Sequence, residues 1–115
     1  MKNLGIGIDI VDIKRFRKLP YESNKSFYKK IFSTSEIKYC LTHKNTSQHF
    51  AGKFAIKEAV KKSISNEIQM LDIITSYKMS KPTISLKKNN MHCFRVSLSH
   101  DSNIAVAVVI SEKTR

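Results

Sequence analysis

Near its start the chain reads Leu-Gly-Ile-Gly-Ile-Asp-Ile over residues 4–10, with a large apolar side chain at every second position. Because successive side chains of a strand point to opposite faces, this period of two predicts a β-strand. One face of that strand carries the four large apolar side chains, and the other carries Gly5, Gly7 and Asp9. A carboxylate therefore lies on a face that two glycines leave clear.

The sequence after this strand predicts three helical segments. Asp12 is a capping residue for a short basic helix that ends near Pro20. Residues 23–32 mix lysines with aromatic residues and suit an amphipathic helix. Ser33, with Glu36 three residues later, predicts the start of a further helix that stops around residues 43–45. Four of its residues are expected to face the core: Ile37, Tyr39, Cys40 and Leu41.

A longer helix is predicted from about residue 46 to residue 65, because this stretch has no proline and consists mainly of good helix formers. Its one glycine, Gly52, marks a position of close packing. Steps of three and four residues place five side chains on one stripe of this helix, namely Ala51, Phe54, Ala55, Glu58 and Lys62. Two charged groups thus interrupt a face that is otherwise small and apolar.

The second half of the chain changes to short β-like runs over residues 72–77, 83–86, 93–98 and 104–110. Turn-forming residues separate them at 80–82, 87–90 and 99–103. Helices in the first half and strands in the second predict an α+β fold, with helices packed on an antiparallel sheet. Residues 1–115 are expected to form a single domain.

Composition excludes several classes of protein. The chain has 115 residues, 41% of them hydrophobic, with three glycines and two prolines, which is typical of an ordinary globular protein rather than a fibrous or disordered one. Its longest apolar run, residues 104–110, is about a third of the ~20 residues that cross a bilayer. We therefore expect no membrane association, no signal peptide and a cytoplasmic location. Cys40 and Cys93 lack metal-site spacing, and both are expected to be reduced and buried.

The formal charge of +12 calls for an acidic partner. Charge alone leaves four classes open: a nucleic acid, an anionic membrane, a phosphorylated small molecule or an acidic protein.

Asp9 and Glu58 are the candidate metal-binding residues. The plain interpretation of Glu58 with Lys62 is an exposed ion pair one helical turn apart, worth a few tenths of a kcal/mol. Two carboxylates brought together, however, repel each other unless a cation lies between them. Oxygen-only ligands suit Mg²⁺, which commonly takes its remaining ligands from water and substrate phosphates. This set of residues therefore predicts a magnesium-dependent phosphoryl site.

Three separated motifs carry a specific resemblance. They are Gly-Ile-Asp-Ile-Val-Asp-Ile-Lys-Arg-Phe at residues 7–16, Ala-Gly-Lys-Phe-Ala-Ile-Lys-Glu-Ala-Val-Lys-Lys at 51–62, and Val-Ser-Leu-Ser-His at 96–100, which Ala-Val-Ala follows at 105–107. In order and spacing, the chain resembles the holo-acyl-carrier-protein synthases, the small bacterial type of 4'-phosphopantetheinyl transferase. The resemblance spans essentially the whole chain, with an approximate Gly-Lys-Pro at residues 80–82.

The resemblance implies transfer of the phosphopantetheine arm of coenzyme A to a serine of apo acyl carrier protein, with release of adenosine 3',5'-bisphosphate, in support of fatty acid biosynthesis. It implies that Asp9 and Glu58 hold Mg²⁺ and that Lys62 approaches the diphosphate of coenzyme A. Residues that would lie around the nucleotide are Lys53, Pro82, Ser99 and His100. The family is also homotrimeric, with active sites between subunits.

The attacking hydroxyl must lose a proton, and either Glu58 or a water held by the metal ligands accepts it. His100 is interpreted as a phosphate contact rather than as the base. The basic helix is expected to meet the acidic carrier protein through Lys14, Arg15 and Arg17, with Arg15 as the best match.

The chain departs from the family pattern at three places. Residues 63–68 lack the usual glycine-rich turn, and Asn66 is the residue there that best tolerates a positive φ. Ser80 replaces a glycine and Lys53 replaces an arginine. Two alternatives are weighed against the transferase: a basic nucleic-acid-binding module, for which no specific motif is present, and a catalytically weakened scaffold. We expect no nucleic-acid partner.

Overall fold

A computed structural model describes residues 1–88 and 91–114. The helices and strands of this part of the chain are, in order, β1 (Leu4–Asp12), α1 (Lys14–Arg17), α2 (Lys25–Lys29), α3 (Thr34–Leu41), α4 (Thr46–Ser63), β2 (Ile73–Lys78), β3 (Lys81–Leu86), β4 (His92–Asp101) and β5 (Ile104–Lys113). Short 3₁₀ turns occupy Tyr21–Ser23 and Met70–Asp72. The predicted α+β class is confirmed.

The strands form an antiparallel sheet in the order β1-β5-β4 and a separate hairpin of β2 and β3. In the register of the larger sheet, Gly7 pairs with Val109 and Asp9 pairs with Ala107. Strand β3 runs alongside β4, so the hairpin extends the layer of strands. The first strand, β1, thus pairs with the last strand described, β5, so the two ends of the chain lie side by side in one sheet.

Helix α4 packs across one face of the larger sheet against β1 and β5. The small buried residues Ala105 and Ala107 of β5 lie on this face. An aromatic cluster around Phe16, Tyr28 and Phe50 fills the core between α4 and the shorter helices. The Tyr28 hydroxyl donates a hydrogen bond to the Leu19 carbonyl, which satisfies its polar end within this cluster.

The larger apolar side chains of β1 point away from α4. Leu4, Ile6, Ile8 and Ile10 are 48%, 69%, 58% and 65% exposed, whereas Gly7 and Val11 on the opposite face are buried. The predicted alternation is confirmed, and the glycine face is the one that packs against the helix. An apolar stripe therefore lies on the outer face of the sheet.

Helix α3 begins as predicted. The Ser33 hydroxyl accepts a hydrogen bond from the Glu36 N–H at 3.2 Å, and Glu36 Oε1 accepts one from the Ser33 N–H at 2.8 Å. Ile37 and Cys40 are buried, but the prediction for Leu41 is wrong, since it is 42% exposed. Each residue turns the helix by about 100°, which puts Leu41 beyond the buried side that Glu36, Ile37 and Cys40 share.

The basic segments form shorter helices than predicted. Helix α1 has one turn, and Asp12 Oδ1 accepts a hydrogen bond from the Lys14 N–H at 3.0 Å. The predicted helix over residues 23–32 is helical only over α2, at Lys25–Lys29. Helix α4 ends at Ser63, two residues before the predicted end.

Two predicted turns are shorter than expected because the strands extend into them. Lys81 and Pro82 belong to β3, and the connection from β2 is made by Met79 and Ser80, with φ of 53° and 68°. Strand β4 likewise continues to Asp101. Residues 89–90 of the turn predicted at 87–90 lie outside the described residues.

Both cysteines are free, as predicted, and Cys40 is buried. The expectation that Cys93 is buried is wrong, because it lies on the outer face of β4. Within the described residues, no helix combines the length and apolar character needed to cross a membrane.

Candidate active site

The two glycines of β1 allow the strand to lie directly against the backbone of α4. A Cβ atom on Gly5 would lie 1.8 Å from the Ser63 carbonyl oxygen, and one on Gly7 would lie 2.0 Å from the Ala59 carbonyl oxygen. Any side chain at either position would therefore separate the strand from the helix. Two residues of a strand span about 7 Å and four residues of a helix about 6 Å, so every second residue of β1 meets every fourth residue of α4. One further step puts Asp9 level with the turn of α4 before Ala59.

Asp9 forms an ion pair with Lys62 from the C-terminal part of α4. Lys62 Nζ lies 3.0 Å from Asp9 Oδ1 and also donates a hydrogen bond to the Ile8 carbonyl at 3.0 Å. Side chains of a helix lean toward its N-terminus, which directs Lys62 back along α4 toward this position. The structure thus brings together two of the predicted site residues that are 53 positions apart in the chain.

Glu58 lies one helical turn before Lys62 and is half-buried. The oxygens to consider are the Asp9 carboxylate and the Ile8 carbonyl, which both contact Lys62, and the Glu58 carboxylate one helical turn away on α4. All are hard oxygen donors, which is the ligand chemistry of Mg²⁺. No cluster of three or more His, Cys, Asp or Glu side chains that could hold a metal occurs among residues 1–88 and 91–114. A cation bound by these two acids would keep open positions for water or phosphate.

Ser99 and His100 lie near the end of β4 and are exposed. His100 Nε2 lies 3.1 Å from the side-chain nitrogen of Gln48, which belongs to the first turn of α4. Pro82 lies on β3 opposite Tyr77 of β2. Two of these predicted nucleotide contacts, Ser99 and His100, are therefore carried by β4, and the third, Pro82, by β3.

Lys53 is buried, with 2% of its surface exposed. Its ammonium group donates hydrogen bonds to the Thr75 hydroxyl at 3.0 Å and the Thr75 carbonyl at 3.3 Å, and it lies over the rings of Tyr39 and Tyr77. Burial lowers the pKa of Lys53, and the Cys40 thiol and the Glu36 carboxylate oppose this shift only in part. A small cleft of about 220 Å³ opens beside Lys53.

A buried ion pair between Glu36 and Lys57 is the feature that the sequence analysis missed. Lys57 Nζ donates to Glu36 Oε1 at 2.7 Å and to the carbonyls of Ile31 and Met70, so its three donors are satisfied. Glu36 Oε2 accepts from both the N–H and the hydroxyl of Thr75. The signal for Lys57 was its position four residues after Lys53, on a helix face shared with buried apolar residues.

The basic helix α1 contacts α4 near Phe54. The Arg15 guanidinium lies 5.1 Å from the centre of the Phe54 ring, and Arg17 donates a hydrogen bond to the Asn103 side chain. Lys14 is exposed. Phe54 lies one helical turn before Glu58, so Arg15 packs on a residue of the same α4 stripe as Glu58.

The fold thus defines a small α+β protein in which an acidic residue of the first strand pairs with a lysine of the longest helix. The sequence model of the 4'-phosphopantetheinyl transferase superfamily matches residues 5–109. The holo-[acyl-carrier-protein] synthase of Geotalea daltonii is 36% identical, with 95% of this chain and 98% of the relative aligned. That of Ehrlichia ruminantium is 40% identical, with 96% and 97% aligned.

Solved structures agree with this assignment. The Helicobacter pylori holo-[acyl-carrier-protein] synthase in complex with coenzyme A has a TM-score of 0.79 and 37% identity, covering 93% of this chain and 99% of that one. The Bacillus anthracis synthase in complex with coenzyme A (3',5'-ADP) has a TM-score of 0.82 and 30% identity, covering 95% and 96%. The chain belongs to the holo-[acyl-carrier-protein] synthase family of the 4'-phosphopantetheinyl transferases. The predicted family and enzyme class are confirmed.

Proposed function

We propose that this protein transfers the 4'-phosphopantetheine arm of coenzyme A to a serine hydroxyl of apo acyl carrier protein. The serine oxygen forms a bond to the phosphorus that carries the pantetheine arm, the bond from that phosphorus to the bridging oxygen breaks, and adenosine 3',5'-bisphosphate leaves with the electron pair. The reaction supports fatty acid biosynthesis in the cytoplasm. The observation that carries the proposal is the contact of 3.0 Å between Lys62 Nζ and Asp9 Oδ1 in a chain of this family. Lys62 lies one helical turn after Glu58 on α4.

Asp9 and Glu58 would hold Mg²⁺, and their oxygen donors fit that ion. When bound, Mg²⁺ neutralises negative charge on the diphosphate and on the leaving oxygen. Lys62 supplies a further positive charge to the diphosphate, and such fixed charges stabilise phosphoryl transfer electrostatically. The serine proton would pass to Glu58 or to a water held by Asp9 or Glu58.

The nucleotide half of coenzyme A would lie toward Pro82, Ser99 and His100. The link between His100 and Gln48 supports this assignment, because it fixes the imidazole at the start of α4. Lys53, buried beside Tyr77, is the remaining residue of the proposed nucleotide site. It supplies positive charge but lacks the planar guanidinium group of an arginine.

Carrier-protein binding is assigned to the surface formed by Lys14, Arg15 and Arg17. An acidic partner would be oriented by this surface next to Phe54, one turn from Glu58. Such charge complementarity raises the rate of encounter and fixes orientation more than it raises affinity.

The exposed apolar stripe of β1 supports assembly of three copies into a homotrimer. Monomeric proteins rarely leave a contiguous row of large apolar side chains in water. Ile104 and Ile110 of β5 continue the stripe on the same face of the sheet, with 36% and 44% exposure. Contact between copies through this face would remove the stripe from solvent.

The decisive experiment incubates the protein with apo acyl carrier protein, coenzyme A and Mg²⁺ and measures the carrier by mass spectrometry. A gain of one phosphopantetheine arm supports the transferase. No gain, together with salt-sensitive binding to RNA or DNA, would support a nucleic-acid-binding module instead. No gain with retained carrier binding would support a scaffold.

A further inference from the structure

We propose that Lys62 is the counter-ion of Asp9 until a divalent cation binds, and that the cation must displace the Lys62 ammonium group to reach the Asp9 carboxylate. This inference rests on the proposed function, in which Asp9 is a metal ligand. It gives Lys62 two roles. It sets the affinity for the cation, and its charge becomes available to an anionic ligand only after the cation has bound.

The geometry puts the ammonium group in direct competition with a cation. Lys62 Nζ bonds to Asp9 Oδ1 and to the Ile8 carbonyl oxygen, each at 3.0 Å. Both acceptors are oxygens of the kind that Mg²⁺ prefers. An ammonium group on these oxygens therefore lies where a hard divalent cation would find its ligands on β1.

Exposure identifies Lys62 as the partner that moves. The Asp9 side chain is 15% exposed, held between β1 and α4, whereas the Lys62 side chain is 55% exposed. A lysine has a flexible stem and a strongly hydrated head, so it can leave for solvent or for another anion at low cost. Asp9 stays fixed in either state.

Charge balance favours the exchange. In the observed state, one carboxylate of Asp9 meets one ammonium group of Lys62, and the pair is neutral. The Glu58 carboxylate has no ion pair among the described residues, so Asp9, Glu58 and Lys62 together carry one net negative charge. A divalent cation on Asp9 and Glu58 would neutralise both carboxylates, and the positive charge of Lys62 is then surplus, which suits an incoming diphosphate.

The first test measures Mn²⁺ binding by electron paramagnetic resonance in Lys62→Met and in Lys61→Met. Lys61 is the exposed neighbour on α4, so its variant loses the same net charge without breaking the contact with Asp9. We expect Lys62→Met to bind Mn²⁺ about two- to fivefold more tightly than Lys61→Met, the range expected for loss of one exposed ion pair. Equal or weaker binding by Lys62→Met would overturn the proposal.

The second test uses the unaltered protein and so does not depend on the folding of a variant. Lysine amines are reductively methylated with and without Mg²⁺, and fragment mass spectra resolve Lys62 from Lys61. We expect Mg²⁺ to increase methylation of Lys62 relative to Lys61. Methylation of Lys62 that Mg²⁺ leaves unchanged or decreases would contradict displacement.

These readouts separate the inference from the function on which it rests. A protein that transfers the pantetheine arm while Lys62→Met binds Mn²⁺ no more tightly than Lys61→Met would retain the proposed function and refute the exchange. Tighter Mn²⁺ binding by Lys62→Met, with no transfer by the unaltered protein, would support the exchange and refute the transferase.

Discussion

Lys57 Nζ and Glu36 Oε1 lie 2.7 Å apart in the core, with side chains 0% and 1% exposed. This pair joins α3 to α4 and, through Thr75, to β2. A buried ion pair is weak evidence for net stability, but removal of one partner leaves the other charge buried without compensation. The pair therefore holds the helices in place only while both members are present.

Lys57→Met is expected to lower the free energy of unfolding by about 3 to 5 kcal/mol, because the Glu36 carboxylate loses its counter-ion. Urea denaturation at a fixed protein concentration measures this. Lys61→Met, which removes an exposed lysine of the same helix, should stay within about 0.5 kcal/mol of the unaltered protein. If Glu36→Gln combined with Lys57→Met is as unstable as Lys57→Met alone, the stranded charge is not the cause.

Glu36 also makes stability depend on pH. Burial raises the pKa of its carboxyl, but hydrogen bonds from Lys57, Ser33 and Thr75 outweigh burial, and the net pKa lies below its usual 4.5. A group with a lowered pKa in the folded state stabilises the protein above its unfolded pKa, and this contribution is lost as pH falls through the folded pKa.

We therefore expect the free energy of unfolding to fall below about pH 4.5 more steeply in the unaltered protein than in Glu36→Gln. Denaturation series between neutral and acidic pH measure the two slopes. Parallel curves would exclude Glu36 as a major source of the acid sensitivity.

Glu58→Gln is expected to fold and to lose most transfer activity, because an amide keeps the size of the side chain but removes a negative oxygen donor. The measurement is phosphopantetheine transfer to apo carrier protein with Mg²⁺, alongside circular dichroism of the variant. Glu67→Gln, at an exposed position after α4, is the matched control and should retain activity. Full activity of Glu58→Gln would remove this residue from the proposed metal site.

Arg15→Ala is expected to raise the KM for carrier protein, with the largest effect at low ionic strength, where surface charges are least screened. Steady-state kinetics at two salt concentrations measure this. Lys38→Ala removes an exposed positive charge from α3 and should leave that KM unchanged. An Arg15→Ala variant with an unaltered carrier KM at low salt would argue against α1 as the binding surface.

Strand β1 shows which features of the structure a sequence pattern can predict. A period of two predicted the strand and the shared face of Gly5, Gly7 and Asp9, because side-chain alternation is a local property of the backbone. The pattern did not identify which face meets the core. Hydrophobicity alone would bury the isoleucines, whereas the carbonyls of Ala59 and Ser63 lie too close for any side chain at the glycines.

Residue type was a less reliable guide on α4 and after it. Lysines are normally solvated, so residue type did not distinguish buried Lys53 and Lys57 from exposed Lys62. Their partners Glu36 and Thr75 come from other elements, which the fold brings to the same side of the helix. Asn66 is not among the residues with positive φ in the described chain, so the segment after α4 turns without the conformation for which glycine is usually required.

The turn between β2 and β3 offers a stability test that is independent of the site. Met79 and Ser80 both have positive φ, at 53° and 68°, in a two-residue hairpin connection of the kind that favours glycine and asparagine. Side chains other than those of Gly, Asn and Asp are disfavoured in this conformation. Glycine at position 80 would therefore relieve backbone strain.

Ser80→Gly is expected to raise the free energy of unfolding by about 0.5 to 1 kcal/mol, since the gain in backbone fit exceeds the added entropy of the unfolded chain. Ser97→Gly, in the middle of β4, is the matched control and should lower it by a similar amount, because glycine weakens a strand interior. Urea denaturation of both variants gives the comparison. A loss of stability in Ser80→Gly as large as that in Ser97→Gly would mean that Ser80 adopts the left-handed conformation without strain.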